Sequence, residues 1–410
     1  MKEVCIINYT SNAAVYGIGT YIRELVYCLT NLGCQVIMVE LGTDVKKPEF
    51  YVKEDRNVRT LHFPYLLKGE VDRYNKGVYR LLRLYLEDSA NLVFHLQFGH
   101  SVSLLDSLKE YFPLSKSFFT IHYLYWSATL QGNIDLYKKI IHNQDNEKIK
   151  TKYSHIIDNF NKEKASLEKF DRIVCLSDDT HNLIQKQYGI KQNVWLIPNG
   201  LRENESPLSE VQKKVLREKF LIRPDEKVFL FVGRIDPIKG IEQLMSAFED
   251  VVIDYPNCRL VVVGAGDINE LLRKYNKACP KVSFTGKLDR KTLYQWYRIA
   301  DIALFPSFYE ECSFVGIEMM MHGLPIIASD GYSVKNMFQE GSGAQIARIE
   351  KPGIKKRYST FEKNLKEGMT TVLKSDSLQA KLRKEALQSF HARYSIKRMQ
   401  ANYAQLLQSL

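Results

Sequence analysis

Short apolar runs at residues 4–7, 36–41, 92–98, 118–121, 172–176 and 194–197 alternate with longer segments whose apolar residues return at helical spacing. Between the first two runs, Ile22, Leu25, Val26, Leu29 and Leu32 share one helical face. A run too short for a helix and apolar throughout reads as a strand buried on both sides. Repeated strand, helix, strand demands a parallel sheet, because parallel neighbours cannot be joined by a tight hairpin and need a right-handed crossover. The first half of the chain is therefore predicted to be α/β.

The pattern starts again beyond a polar stretch, with runs at 228–232, 259–263, 282–285, 302–305 and 325–329. The intervening RENESPLSEVQKKVLREKFLIRPDE carries Pro207 and Pro224 on either side of a charged helical piece, the composition of a connector. The boundary falls near residue 200, giving domains over 1–200 and 201–390. A length of 410 residues suits this division at about 150 residues per domain. KPGIKKR at 351–357 reads as a basic loop, and the chain beyond Ser377 as helix to its end.

Hydrophobic residues at 45% and charged residues at 26% exclude wholesale disorder. The net charge of +11 favours anionic partners of any kind. No zinc-finger spacing, RNA-binding signature or basic-aromatic stripe accompanies it, so nucleic acid is not the expected partner. The cysteines at 5, 28, 34, 175, 258, 279 and 312 are scattered and never in a Cys-x-x-Cys pair, which fits neither a disulfide framework nor a thiolate zinc site. The first apolar run is too short for a signal-peptide core, and no stretch approaches about 18 apolar residues, so a cytoplasmic chain without a membrane span is expected.

In open α/β sheets ligands bind beyond the carboxyl ends of the strands, so the residues after each apolar run carry the functional signal. NYTSNAAVYGIGTYIREL comes after the first run; Gly17 and Gly19 precede a helix and would let backbone N–H groups approach an anion, or simply serve a tight turn. FVGRIDPIKG places Arg234 and Lys239 five apart across Pro237, a fork and a point charge suited to a diphosphate, unless this is a solvated basic loop. VVVGAGD, with Gly264 and Gly266, lacks the full dinucleotide spacing and reads as a turn. PSFYEECSFVGIEMMMHGLP sets Glu310 in a loop and Glu318 early in a helix beginning near Phe314. Two carboxylates around a helix N-terminus can take sugar hydroxyls while free N–H groups face a phosphate; the plain alternative is a helix-dipole Glu and a solvent Glu.

A glycine-rich loop opening the first domain, GR-x4-KG opening the second and PS-x-x-E-x7-E-x-M-x-x-G-x-P near its end, in that order, resemble the family 4 retaining glycosyltransferases of GT-B fold. The likeness runs from the N-terminal strand to about Ser329 and includes FTIHYLY, IPNG at 197–200 and FTGKL at 284–288. It implies two Rossmann-like domains facing across a cleft, with residues 391–410 packing back on the first. It implies a nucleoside-diphosphate sugar of UDP or GDP type as co-substrate, without cofactor or metal. Gly17 and Gly19 would face the donor diphosphate and Arg234 and Lys239 would neutralise it. Glu310 would hold the donor sugar, Glu318 the ribose hydroxyls, and His122 would sit near the anomeric centre. The backbone of Gly286, Lys287 and Leu288 would meet the base, and Ser313, Phe314 and Val315 the phosphate. The chain departs from the family where Gly-Phe-Gly is replaced by Glu311-Cys312-Ser313, where the paired glycines of the first loop become Tyr16-Gly17, and where Val-Asp after IPNG becomes Leu201-Arg202. The first departure keeps a non-catalytic GT-B subunit as the alternative.

No Asp-x-Asp occurs, so carboxylate-chelated magnesium is not implied. Acceptor choice is expected in the first domain, for a glycan, a lipid-linked or a protein-linked hydroxyl. There Val71, Tyr74, Val78, Leu81 and Tyr85 form an apolar stripe beside Arg73, Lys76, Arg80 and Arg83. Such a helix either faces the core or lies peripherally on an anionic membrane surface.

Overall fold

The computed structural model describes residues 2–9, 17–43, 49–53, 58–64, 71–97, 102–203, 208–349 and 358–410. The 351–357 loop, Phe98 and the side chains of Val71, Arg73 and Tyr74 lie outside the described residues. Two compact units form: one from Met1–Trp126, Asp135–Gly200 and Ile396–Leu410, the other from Ser127–Ile134 and Leu201–Ser395.

The first unit holds strands β1 (Glu3–Tyr9), β2 (Gln35–Thr43), β3 (Glu49–Lys53), β4 (Val58–Pro64), β5 (Leu92–Leu96), β6 (Lys116–Ile121), β7 (Arg172–Cys175) and β8 (Val194–Leu196). They lie in the order β3-β4-β2-β1-β5-β6-β7-β8. Every pairing is parallel except β3 with β4, the antiparallel pair at one edge. That edge pair is not evident from sequence, since residues 49–64 mix charged and apolar positions as a strand with one wet face does. The helix Ile396–Gln408 belongs to this unit: the Tyr403 hydroxyl meets that of Tyr21, and Arg172 donates to the Ser409 side chain and carbonyl.

The second unit holds β9 (Lys227–Val232), β10 (Cys258–Val263), β11 (Val282–Gly286), β12 (Ile302–Phe305), β13 (Ile326–Ser329) and β14 (Ala344–Ala347), parallel throughout, in the order β11-β10-β9-β12-β13-β14. The sheet order reverses between β9 and β12, so their carboxyl ends flank a switch point. The core beneath gathers Phe229, Phe231, Leu244, Phe248, Leu260, Leu304 and Phe361, all buried.

Three expectations need correction. The helix of the first domain starts at Gly17 rather than after Gly19 (Gly17–Asn31), because Ile18 already lies on the stripe continued by Ile22 and Leu25. The chain beyond Ser377 is not one helix: Asp376–Ser389 passes through a wide turn at Phe390–Tyr394 and extended Ser395 before Ile396–Gln408 begins. Among the described side chains of helix Val71–Leu82 and the turn after it, Val78, Tyr79, Leu82 and Leu86 are buried, while Leu81, Leu84 and Tyr85 are 38%, 75% and 41% exposed. Leu81 and Tyr85 thus sit beside the exposed Lys76, Arg80 and Arg83 instead of in the core.

Candidate active site

The second unit builds its site from loops at the carboxyl ends of β9, β10, β12 and β13, stitched together by backbone. After β9, Gly233 N–H donates to Val263 O at 2.9 Å and Ile235 N–H to Ala265 O at 2.9 Å, so the ladder with β10 continues into both loops. This closeness requires glycine. A Cβ on Gly264, whose φ is +154°, would stand 1.7 Å from the Gly233 carbonyl oxygen, and one on Gly266 would meet Ile235 at 2.5 Å. VVVGAGD, read from sequence as a turn, thus buttresses the loop that carries Arg234.

Asp236 accepts from Ile238 N–H at 3.1 Å and opens a short 3-10 turn, Pro237–Lys239, in which proline costs no hydrogen bond. Gly240 then takes the left-handed conformation at φ +68°, where a Cβ would lie 2.2 Å from the Pro306 carbonyl oxygen. Phe308 N–H donates to Ile238 O at 2.8 Å. The loop after β12 is held from its other side by the loop after β13. Glu310 N–H donates to Tyr332 O at 3.1 Å and Tyr332 N–H to Phe308 O at 3.0 Å, and the Tyr309 and Tyr332 rings stack at 5.2 Å. Sequence reading misses this Gly331-Tyr332 support, although the residues directly after the 325–329 run would have shown it.

This scaffold brings Lys239 and Glu310 together: Nζ lies 2.6 Å from Oε1, with side chains 20% and 11% exposed. Arg234 makes a different ion pair: it is 56% exposed, with its Nη1 3.3 Å from Asp236 Oδ2. Glu311 is not a substitute for Glu310, because it is buried and accepts from the Tyr309 hydroxyl.

Ser313 precedes helix Phe314–Met321, whose first internal bond runs from Ile317 N–H to Ser313 O at 3.1 Å. The N–H groups of Phe314, Val315 and Gly316 therefore have no acceptor within the helix and make its tip electropositive. Ser313 N–H points at Met337 Sδ, 3.3 Å away. Glu318 lies mid-helix and buried, accepting from Tyr297 Oη at 2.9 Å and Tyr294 Oη at 3.3 Å. Both phenols come from helix Arg290–Ile299 and carry no signal in the sequence. Burial and the Glu318 charge push both phenol pKa values up, so both stay protonated and donate to the carboxylate. Gly286, at φ +69° with open space around it, ends β11 and leads into exposed Lys287 and partly buried Leu288.

In the first unit Gly17 and Gly19 fall in the opening turn of their helix, where N–H groups again lack internal acceptors. His122 lies just past β6. Its ring meets the edge of Tyr21 at 4.6 Å, and its buried Nε2 has no hydrogen-bond partner among the described residues. Burial lowers its pKa to about 3, so it is neutral at physiological pH. Beneath it Tyr21 Oη bonds Thr120 Oγ1 at 2.9 Å, and His95 Nε2 bonds the same hydroxyl at 2.9 Å. Among the described residues no three His, Cys, Asp or Glu side chains converge as a metal-binding group.

Two family sequence profiles match: Glycosyl transferases group 1 over residues 212–389, and Glycosyltransferase Family 4 over residues 15–205. The chain belongs to these family 4, group 1 glycosyltransferases. An uncharacterized glycosyltransferase of Methanocaldococcus jannaschii is 35% identical over 144 residues, which is 34% of this chain and 37% of that protein's own length. Among solved structures, sucrose-phosphate synthase from Thermosynechococcus elongatus superposes with a TM-score of 0.76 at 20% identity, covering 100% of this chain and 98% of that one. Anabaena HepE in complex with UDP-glucose gives a TM-score of 0.70 at 13% identity, with 100% of each chain covered. The two parallel α/β units are those of the GT-B fold.

Proposed function

We propose that this protein is a retaining glycosyltransferase that moves a hexosyl or N-acetylhexosaminyl group from a UDP- or GDP-type sugar to a hydroxyl acceptor. The observation that carries this reading is the stitching of the loops after β9 and β12, which sets Lys239 against Glu310 in the loop that leads into helix Phe314–Met321. The Anabaena structure that holds UDP-glucose in the same fold supports the donor class.

Breaking the bond between C1 and the diphosphate oxygen builds negative charge on the leaving group and positive charge on the sugar. Lys239, Arg234 and the helix N–H groups are assigned to the leaving diphosphate, where preorganised donors act most strongly. Glu310 is assigned to the sugar hydroxyls and Glu318 to the ribose hydroxyls, with the base against Gly286–Leu288. His122, neutral and with Nε2 uncommitted, is assigned to the transferred sugar. The acceptor oxygen forms its bond to C1 on the face the diphosphate leaves, and its proton passes to the departing phosphate oxygen. Net charge is conserved without a protein nucleophile.

Leu81, Leu84 and Tyr85, exposed beside Lys76, Arg80 and Arg83, favour an acceptor on an anionic membrane. Co-sedimentation with anionic vesicles, lost at high salt and on Leu84→Asp, is the expected result; absence of binding removes the membrane reading.

The test of the function is incubation of purified protein with UDP- and GDP-sugars, monitoring nucleoside diphosphate release. Slow release with one donor, accelerated by acceptor and with the anomeric configuration kept in the product, is expected. Nucleotide binding without release from any donor would instead mark a non-catalytic GT-B subunit.

A further inference from the structure

Helices Ile241–Asp254, Asn269–Lys274 and Ser359–Leu373, with the loops after β9 and β12, line a cleft of about 480 Å³ in the second unit. That volume falls within the range of about 300–1,000 Å³ usual for small-molecule sites. None of its lining residues is among those assigned to the nucleotide or the transferred sugar. Gln243 lines this cleft from among the core residues Ile241, Leu244, Met245 and Phe248 of its helix. It is only 7% exposed, and its side-chain amide hydrogen-bonds to none of the described residues. A buried amide without a protein partner costs stability unless water or a ligand takes its donors and acceptor. Glu242, Lys274 and Glu362 line the same space. Lys274 Nζ is 3.7 Å from Glu242 Oε2, so the ammonium is already matched and Glu362 is the surplus charge. Burial raises the Glu362 carboxyl above its usual range, against the opposing pull of Ser246 and Lys274. Pro237 and Phe308 add an apolar strip, and the Phe308 ring is held by those of Tyr358 at 4.9 Å and Phe361 at 5.7 Å.

This lining selects a class of ligand. Two carboxylates against one paired ammonium disfavour a phosphate or a nucleotide. Among the described residues no three His, Cys, Asp or Glu side chains converge, so a metal ion lacks a ligand set here. An amide and carboxylates suit the hydroxyls of a sugar ring, and an apolar strip suits its C–H face. We infer that this cleft is a second carbohydrate site, separate from that of the donor, for a neutral saccharide of about one or two rings. The same lining reaches the loops that bear Lys239 and Glu310. Pro237 opens the turn that ends at Lys239, and Phe308, two residues before Glu310, donates its N–H to Ile238 O at 2.8 Å. An occupant touching Pro237 and Phe308 holds both loops in one arrangement, so its binding is coupled to that of the diphosphate. The coupling, though not the site itself, rests on the assignment of Lys239 to the diphosphate.

The test titrates glucose, mannose, N-acetylglucosamine and maltose into the full chain by saturation-transfer NMR, with glucosamine and glucose 6-phosphate as charged controls. At least one neutral sugar is expected to bind, and glucose 6-phosphate to bind more weakly than glucose. Binding of none overturns the inference, as does a preference for glucosamine, which marks a cation site, or for glucose 6-phosphate, which marks an anion site. Gln243→Leu keeps the size of the side chain and removes the amide; it should leave Tm unchanged or raised and weaken the bound sugar by about tenfold. Ser359→Trp, at an exposed lining position, should block the cleft. A sugar whose affinity neither change alters is bound elsewhere, and the inference fails. Should Gln243→Leu not fold, Ser359→Trp makes the same measurement alone. Saturating sugar should also tighten UDP binding, read by calorimetry, by about fivefold or more. Unchanged UDP affinity refutes the coupling, whereas absence of any UDP binding sinks the donor assignment and leaves the sugar titration to decide the site.

Discussion

Replacing Lys239 by Ala removes one charge from a pair whose partners are only 20% and 11% exposed, and it should separate stability from catalysis. At 2.6 Å the bare attraction would be about 6 kcal/mol at an effective dielectric near 20, but most of it is offset by the desolvation of both groups. Truncating one member of a fully buried pair costs about 3–5 kcal/mol; the residual solvent contact here brings the expected loss to about 2 kcal/mol. In a unit of this size that lowers Tm by about 4–8 °C. The double change Lys239→Ala with Glu310→Ala removes the stranded carboxylate and should regain part of this loss. Activity behaves differently: Lys239→Ala is expected to lower kcat by about 10²–10³, and the double variant to be no more active. Urea melts monitored by intrinsic fluorescence, alongside donor-saturated turnover, give both quantities. Strictly additive stability losses would show that the two charges are not coupled. A defect confined to KM would reject the role of Lys239 at the leaving group.

Gly240→Ala should cost about 2–4 kcal/mol, since a left-handed alanine is strained and its Cβ would lie 2.2 Å from the Pro306 oxygen. Gly286→Ala, at φ +69° with open space around it, should cost only about 1 kcal/mol, and comparing the two melts isolates the clash. His322, lowered by burial to a pKa of about 4, is neutral in the folded chain while the unfolded chain takes up its proton below about 6.5. Its contribution is constant above about pH 7.5, and stability falls as pH drops from about 6.5 to 4, by up to about 1.4 kcal/mol per pH unit. Urea melts at pH 7 and pH 5 should therefore show a smaller pH dependence in His322→Asn than in wild type. Identical pH dependence would mean that this histidine is protonated in the fold.

A structural feature is legible in sequence when the force behind it leaves a local trace. Both sheets are readable because strands buried on two faces are almost wholly apolar, as in β12 and, apart from His95 and Ser329, in β5 and β13. Strand β14 escapes because AQIA, part-exposed at an edge, lacks that signature. The loops bearing Arg234, Lys239 and Glu310, and the helix start that precedes Glu318, are found from their position directly after an apolar run. Tyr294 and Tyr297 are not, because their value lies in facing Glu318, and nothing in WYRIAD or its neighbours distinguishes a phenol donating to a carboxylate from one that merely fills space. The same holds for Gly264, whose necessity comes from a carbonyl thirty-one positions earlier in the chain, at Gly233. The apolar stripe at 71–85 does not lie wholly in the core, because helical periodicity gives a face without saying what covers it.

The return of helix Ile396–Gln408 to the first unit bears on biosynthesis. Its Tyr403 completes a hydrogen-bonded cluster with Tyr21 and Thr120, and its end is held by Arg172. While the ribosome is still making the second unit, the earlier one must wait with that surface bare, in a partly assembled state attractive to chaperones. Expression of the two halves as separate polypeptides, or early termination before residue 396, would therefore yield a first half that is sticky and short-lived, whatever the quality of its own sheet.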